Sequence, residues 1–142
     1  MVNIKVKSCE TVLPAAPTPR GYVWLSNLDL VVGRTHASTV YIYRPTGTAT
    51  PQYFSMDILK EALSKVLVPF YPITGRLGKD AHGRLQINCN GEGGELIEAV
   101  TDSTIDDFGD FAPSLELCQL LPQLDCTSEN IHTYPLLLVQ VN

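Results

Sequence analysis

Hydrophobic and polar positions alternate at the start of the chain, with Ile4 and Val6 facing one way and Lys5 and Lys7 the other. A period of two predicts a half-buried strand over residues 3–12, and the loop Pro17-Thr18-Pro19-Arg20-Gly21 cannot prolong it. Residues 23–32 form an apolar stretch broken by Gly33, and read as a buried turn of undefined type. The run 38–44, rich in β-branched and aromatic residues and stopped by Pro45, predicts a strand.

From Ser55 the period changes. Ile58, Leu59, Ala62, Leu63, Val66 and Leu67 make one apolar stripe at helical spacing. Ser55 is placed to cap that helix, Asp57 sits where the positive end of the helix dipole favours a carboxylate, and Pro69 and Pro72 end the run. Glu61 and Lys65 stand at i,i+4, a pair worth about 0.3–0.5 kcal/mol, so the stripe decides the helix, at roughly 1.5–3 kcal/mol per large side chain fully buried. Three strand candidates follow, residues 74–77, 84–89 and 95–100, joined by Asp80-Ala81-His82-Gly83 and the Gly-rich 90–94; two hairpins are the simplest reading. Residues 115–121 form a short helical or irregular stretch stopped by Pro122. The apolar run 135–142 has the composition of a central strand covered on both faces, and its flanking strands are expected in residues outside this sequence.

The chain has 142 residues, 44% hydrophobic and 18% charged, which suits a folded unit rather than a disordered one. Its formal charge of −5 offers no long-range attraction to nucleic acid or an anionic membrane. Cys9, Cys89, Cys118 and Cys126 show neither a CxxC pair nor zinc-ligand spacing, so free thiols and a reducing, cytosolic setting are expected. The first residues lack the uninterrupted apolar stretch of roughly 7–15 residues that a secretory signal needs. No run reaches the roughly 20 apolar residues of a membrane span.

Several segments together resemble the BAHD acyltransferases, and within them the hydroxycinnamoyltransferases that use shikimate or quinate. They are Leu28-Asp29-Leu30-Val31-Val32, the run from His36 to Gly47, Leu59-Lys60-Glu61-Ala62-Leu63-Ser64-Lys65, the run from Leu67 to Leu77, Cys89-Asn90-Gly91-Glu92-Gly93, and the run from Ile105 to Pro113. They span nearly the whole chain in the same order. The resemblance implies an α/β (α+β) fold, the N-terminal portion of a chloramphenicol acetyltransferase-like two-domain fold with a mixed sheet and flanking helices. On that reading residues 1–142 are an incomplete N-terminal acyltransferase domain.

The family's HxxxD motif supplies a histidine that takes the proton from the acceptor hydroxyl as it attacks the thioester. The residues four places after His36, His82 and His132 are Val40, Gln86 and Leu136, so the motif is absent here. DFGWG is absent too. The resemblance therefore implies no catalytic residue in this chain, an inactive fragment, and a partner in the remainder of the same polypeptide. It implies an acyl-CoA co-substrate with no further cofactor and no metal. The donor would be a hydroxycinnamoyl-CoA and the acceptor a small polyol acid. Another acceptor, such as an aromatic hydroxy acid or a polyamine, stays open, as does a non-catalytic binding module of the same fold.

His36, Thr39 and Tyr41 fall where the family lines part of its acceptor pocket. Thr39 stands where shikimate-type members usually carry serine and keeps a hydroxyl, whereas Ala37 replaces a common threonine. On strand chemistry alone Thr39 and Tyr41 are ordinary strand formers and His36 a hydrogen-bonded edge residue. Arg76 reads as an ion-pair or hydrogen-bond anchor, and His82 and His132 as surface positions. Asp107-Phe108-Gly109 lacks the other parts of a kinase, and the Gly-rich 90–94 lacks the lysine and helix of a phosphate loop.

Overall fold

The structure is a computed structural model that describes residues 3–32, 35–44, 47, 55–122 and 130–142. Its order is β1 (Ile4–Val12), β2 (Gly21–Trp24), α1 (Asn27–Val31), α2 (Met56–Val66), a 3-10 turn (Tyr71–Thr74), β3 (Arg76–Lys79), β4 (Leu85–Cys89), β5 (Gly94–Thr101), a second 3-10 turn (Ile105–Phe108), α3 (Leu115–Gln119) and β6 (Leu138–Val141). The strands form two three-stranded sheets, β1-β5-β6 and β2-β4-β3. The fold is mixed α/β. No helix among the described residues is long and apolar enough to cross a membrane.

In the first sheet β1 runs antiparallel to β5, with Val12 opposite Gly94, and β6 runs parallel to β5, with Leu96 opposite Val139. Strand alternation sends Val12, Leu96 and Val139 to one face, where α2 packs. Val12, Leu96 and Leu67 are buried there, with Met56, Leu63, Ile73, Leu137 and Val141 against them. Lys60 of α2 pairs with Glu10 of β1 at the rim. Such an exposed pair contributes up to about 1 kcal/mol, less than one buried leucine at roughly 1.5–3 kcal/mol, so apolar burial seats the helix. The opposite face carries the buried Ile97 and Ala99.

The predicted helix is present, with its Glu61–Lys65 pair at 2.5 Å, although Ser55 makes no side-chain cap bond. Only part of the stripe is covered: Leu67 is buried, while Ile58 and Val66 are exposed. The first hairpin is also present, β3 pairing antiparallel with β4. The second is not, because β5 leaves that sheet and joins β1. The glycines explain the departure. Gly91 and Gly93 adopt φ of 66° and 93°, a region costly for other residues, and this turns the backbone away from β4.

Two further expectations are corrected. Residues 23–32 are not a buried turn but the end of β2 followed by α1, whose Leu28 and Val31 are exposed. The serine at 26 caps α1, accepting from the Asp29 amide while the Asp29 carboxylate accepts from the Ser26 amide, which fixes a helix there without burial. The run 38–44 has strand composition but no ladder among the described residues, since side-chain preference cannot make a strand without a pairing partner. The run 135–142 contributes β6, which pairs in parallel with β5 at one edge of its sheet among the described strands and is half-buried.

Candidate functional site

His36, Thr39 and Tyr41 all lie on the segment 35–44, which runs over the surface and is exposed throughout. Tyr41 keeps 75% of its surface accessible. The segment is tied down near each end. The His36 ring reaches the Pro135 carbonyl, 2.8 Å from Nε2, across 99 positions of sequence. Near the other end the Arg44 guanidinium donates to Asp106 Oδ1 at 2.6 Å. Tyr43 is engaged as well.

A carbonyl only accepts, so Nε2 must carry the proton in this contact, and in the neutral ring Nδ1 is left as an acceptor. Thr39 and Tyr41 add two hydroxyls that both donate and accept. Over these six residues the chain exposes one ring acceptor and two hydroxyls, each of which can hydrogen-bond a hydroxyl group. Two open hollows lie elsewhere, one bordered by Thr11, Asp57, Lys60 and Glu61, the other by Pro14, Pro17, Arg20 and Gly91; neither includes His36, Thr39 or Tyr41. Among the described residues no group of three His, Cys, Asp or Glu side chains is placed to hold a metal ion.

The remaining polar side chains that the sequence brings forward are structural. Arg76 is buried at 8% exposure and donates through Nη1 to the Gly75 carbonyl at 2.8 Å and the Gly93 carbonyl at 2.9 Å. Its Nε lies 3.1 Å from Glu92 as an ion pair without the alignment of a hydrogen bond. Arg76 therefore clamps the chain where it passes from one sheet to the other. The backbone amides of His82 and Arg84 donate to Asp80 Oδ1 at 2.8 and 2.9 Å, and the Arg84 amide in particular holds the Asp80 carboxyl below its ordinary range. His132 is exposed and its Nδ1 meets the Leu77 carbonyl at 2.9 Å.

Asp107 does not mimic a kinase motif. Its carboxylate accepts from the Thr104 amide at 2.6 Å and the Thr104 hydroxyl at 3.0 Å, closing the second 3-10 turn, and those bonds lower its pKa. Arg84 packs 4.8 Å over the Trp24 ring and bonds the Leu25 carbonyl, joining β4 to the start of α1. The described cysteines Cys9, Cys89 and Cys118 are free thiols; Cys126 lies outside the described residues. Sequence reasoning named His36 through resemblance and Asp106 only as part of a string. Neither anchor of the 35–44 segment was visible in it, because both join positions far apart in the chain.

A family model described as "Transferase family" matches residues 2–142. The chain is 52% identical over 140 residues to shikimate O-hydroxycinnamoyltransferase from Nicotiana tabacum, covering 99% of this chain and 32% of that protein. It is 48% identical over 130 residues to putrescine hydroxycinnamoyltransferase 1 from Oryza sativa subsp. japonica, covering 90% of this chain and 29% of the other. It is 47% identical to a hydroxycinnamoyl-CoA:5-hydroxyanthranilate N-hydroxycinnamoyltransferase from Avena sativa, over 99% of this chain and 32% of the other. The crystal structure of vinorine synthase superposes with a TM-score of 0.64 at 24% identity, covering 91% of this chain and 31% of that one, which establishes the fold as part of a chloramphenicol acetyltransferase-like architecture. The chain thus spans about a third of the length of the curated relatives it matches.

Proposed function

Since the chain belongs to the BAHD acyltransferase family, we propose that it forms part of the acceptor side of an enzyme moving a hydroxycinnamoyl group from its CoA thioester to a hydroxyl of shikimate or quinate. The observation that carries this reading is the 52% identity to a shikimate O-hydroxycinnamoyltransferase along almost the entire chain. The exposed Thr39 and Tyr41, whose hydroxyls share one face of an extended segment, together with an imidazole whose Nδ1 can accept, support a polyhydroxylated acceptor.

In the proposed reaction the acceptor oxygen forms a bond to the thioester carbonyl carbon while a histidine base takes its proton. The carbon–sulfur bond then breaks and the proton passes to the departing CoA sulfur. That base belongs to an HxxxD motif, which residues 1–142 do not contain, so it would lie in the remainder of the polypeptide. His36, Thr39 and Tyr41 bind and orient the acceptor in this scheme. Acyl-CoA is a co-substrate, and no other cofactor is called for. The protein works in the cytosol on this reading, in keeping with its cysteine usage.

An amine acceptor is the second reading, favoured by the putrescine and hydroxyanthranilate transferases among the relatives. The test is an acceptor panel offered with p-coumaroyl-CoA to the polypeptide that carries this chain. The proposal expects the highest kcat/KM with shikimate or quinate. A higher value with putrescine or 5-hydroxyanthranilate would transfer the assignment to the second reading, and no transfer to any acceptor would favour a non-catalytic module.

A further inference from the structure

The acidic segment after β5 has no part in the function proposed so far, yet it makes a defined contact with the candidate site. Asp106 sits in the 3-10 turn Ile105–Phe108, and its Oδ1 receives the Arg44 guanidinium at 2.6 Å. Its neighbour Asp107 faces a different way, closing that turn onto Thr104, so the two carboxylates divide the work: Asp107 shapes the turn and Asp106 reaches outward.

The position of the two anchors in the fold gives them a common purpose. Pro135, which holds His36, comes three residues before β6, whose first residue Leu138 pairs with Glu95 near the start of β5. Asp106, which holds Arg44, comes five residues after Thr101, where β5 ends. The segment is therefore fixed at elements that adjoin opposite ends of one strand. From His36 to Arg44 there are eight residue steps, which reach at most roughly 28 Å, enough to run the length of an eight-residue strand at about 3.3 Å per residue. Thr39 and Tyr41 lie between the anchors, on a stretch with no ladder to fix it among the described residues.

We infer that Arg44 and Asp106 are a positioning pair which, with the His36–Pro135 contact, holds the 36–41 wall as a strap anchored at both ends of β5. The inference rests on the proposed acceptor-binding reading. Neither residue touches the acceptor; the pair acts through the placement of Thr39 and Tyr41. Both side chains are mostly exposed, at 61% and 78%, so the effect is bounded: exposed pairs contribute about 0.2–1 kcal/mol, a factor of roughly 1.4 to 5.

Arg44→Gln and Asp106→Asn, each made in the polypeptide that carries this chain, should raise the KM for the acceptor by a factor of roughly 1.4 to 5 and leave the KM for acyl-CoA unchanged. The charge exchange Arg44→Asp with Asp106→Arg should return the acceptor KM to within about twofold of wild type. Unchanged acceptor KM in both single variants, or equal changes for both substrates, overturns the inference. So does an exchanged pair that is worse than either single variant.

A second readout needs no activity. In the Arg44→Cys/Asp106→Cys protein a short bismaleimide should join the two positions, identified by peptide mass spectrometry, and His36→Ala should lower the yield. Failure to join them overturns the anchoring. If the crosslink forms in a polypeptide that transfers no acyl group, the strap stands as architecture and the acceptor-binding reading is what falls.

Discussion

The junction between the two sheets and the strap that carries the candidate site are opposites in how they are held. At the junction, Thr74 is fully buried, its carbonyl accepts from the Gly93 amide at 2.9 Å, and Arg76 clamps the Gly93 carbonyl from the other side. Space is so limited that a Cβ on Gly75 would lie 2.2 Å from the Asn88 carbonyl oxygen, and one on Gly93 2.4 Å from that of Val12. The strap has none of this: residues 35–44 are exposed and secured by side chains near their two ends. Backbone geometry determines the junction, whereas the strap depends on contacts with distant elements and can be moved without unfolding the sheets beneath it.

The largest expected break in that contrast comes from Gly93→Ala. It adds a methyl where the backbone already meets Val12 and places it on a residue at φ 93°, so overpacking and strain add to about 3 kcal/mol lost in urea unfolding. Arg76→Met should cost less, about 1.5–3 kcal/mol. It strips two buried carbonyls of their donor but also relieves the desolvation of a guanidinium. Equal and small losses for both variants would mean that the junction is not the rigid part. No comparable loss of stability is expected from any single change to Thr39 or Tyr41.

A smaller effect concerns acid. The amides of Arg84 and His82 stabilise the ionised Asp80 carboxylate and lower its pKa in the folded state. A depressed carboxylate contributes stability that is complete above its unfolded value, about 3.9, and is lost as pH falls through the folded value. Stability from the 80–84 turn should therefore be level from about pH 5 upward and decline only in the acid limb. Asp80→Asn should flatten that limb in acid-unfolding curves; a change confined to neutral pH would contradict the assignment.

The same contrast explains what could be read from the sequence. The stripe from Ile58 to Leu67 and the alternation at the start of β1 predicted α2 and β1; the helix packs on the first sheet through Leu63 and Leu67, while Ile58, Val66 and Val6 keep the period and stay exposed. The β3–β4 hairpin was legible from its turn residues for a similar reason. The transfer of β5 to the other sheet was not, since it depends on two glycines at positive φ and on packing against Val12, neither of which has a period. Tyr41 and Ile42 have the chemistry of a strand, yet the ladder that would make one is absent among the described residues. The site residues came from family resemblance, and periodicity alone would have left them as ordinary strand formers. What the structure adds is the long-range fixing of His36 and Arg44.

The most direct test of the acceptor-wall account is steady-state kinetics of Thr39→Val and Tyr41→Phe in the polypeptide that carries this chain, with acceptor and acyl-CoA varied separately. Each lost hydroxyl, at about 0.5–1.5 kcal/mol per hydrogen bond, should raise the acceptor KM or lower turnover by roughly two- to thirteenfold, with the acyl-CoA KM unmoved. Acceptor kinetics identical to wild type in both variants would contradict the account and return these hydroxyls to the surface of an ordinary loop.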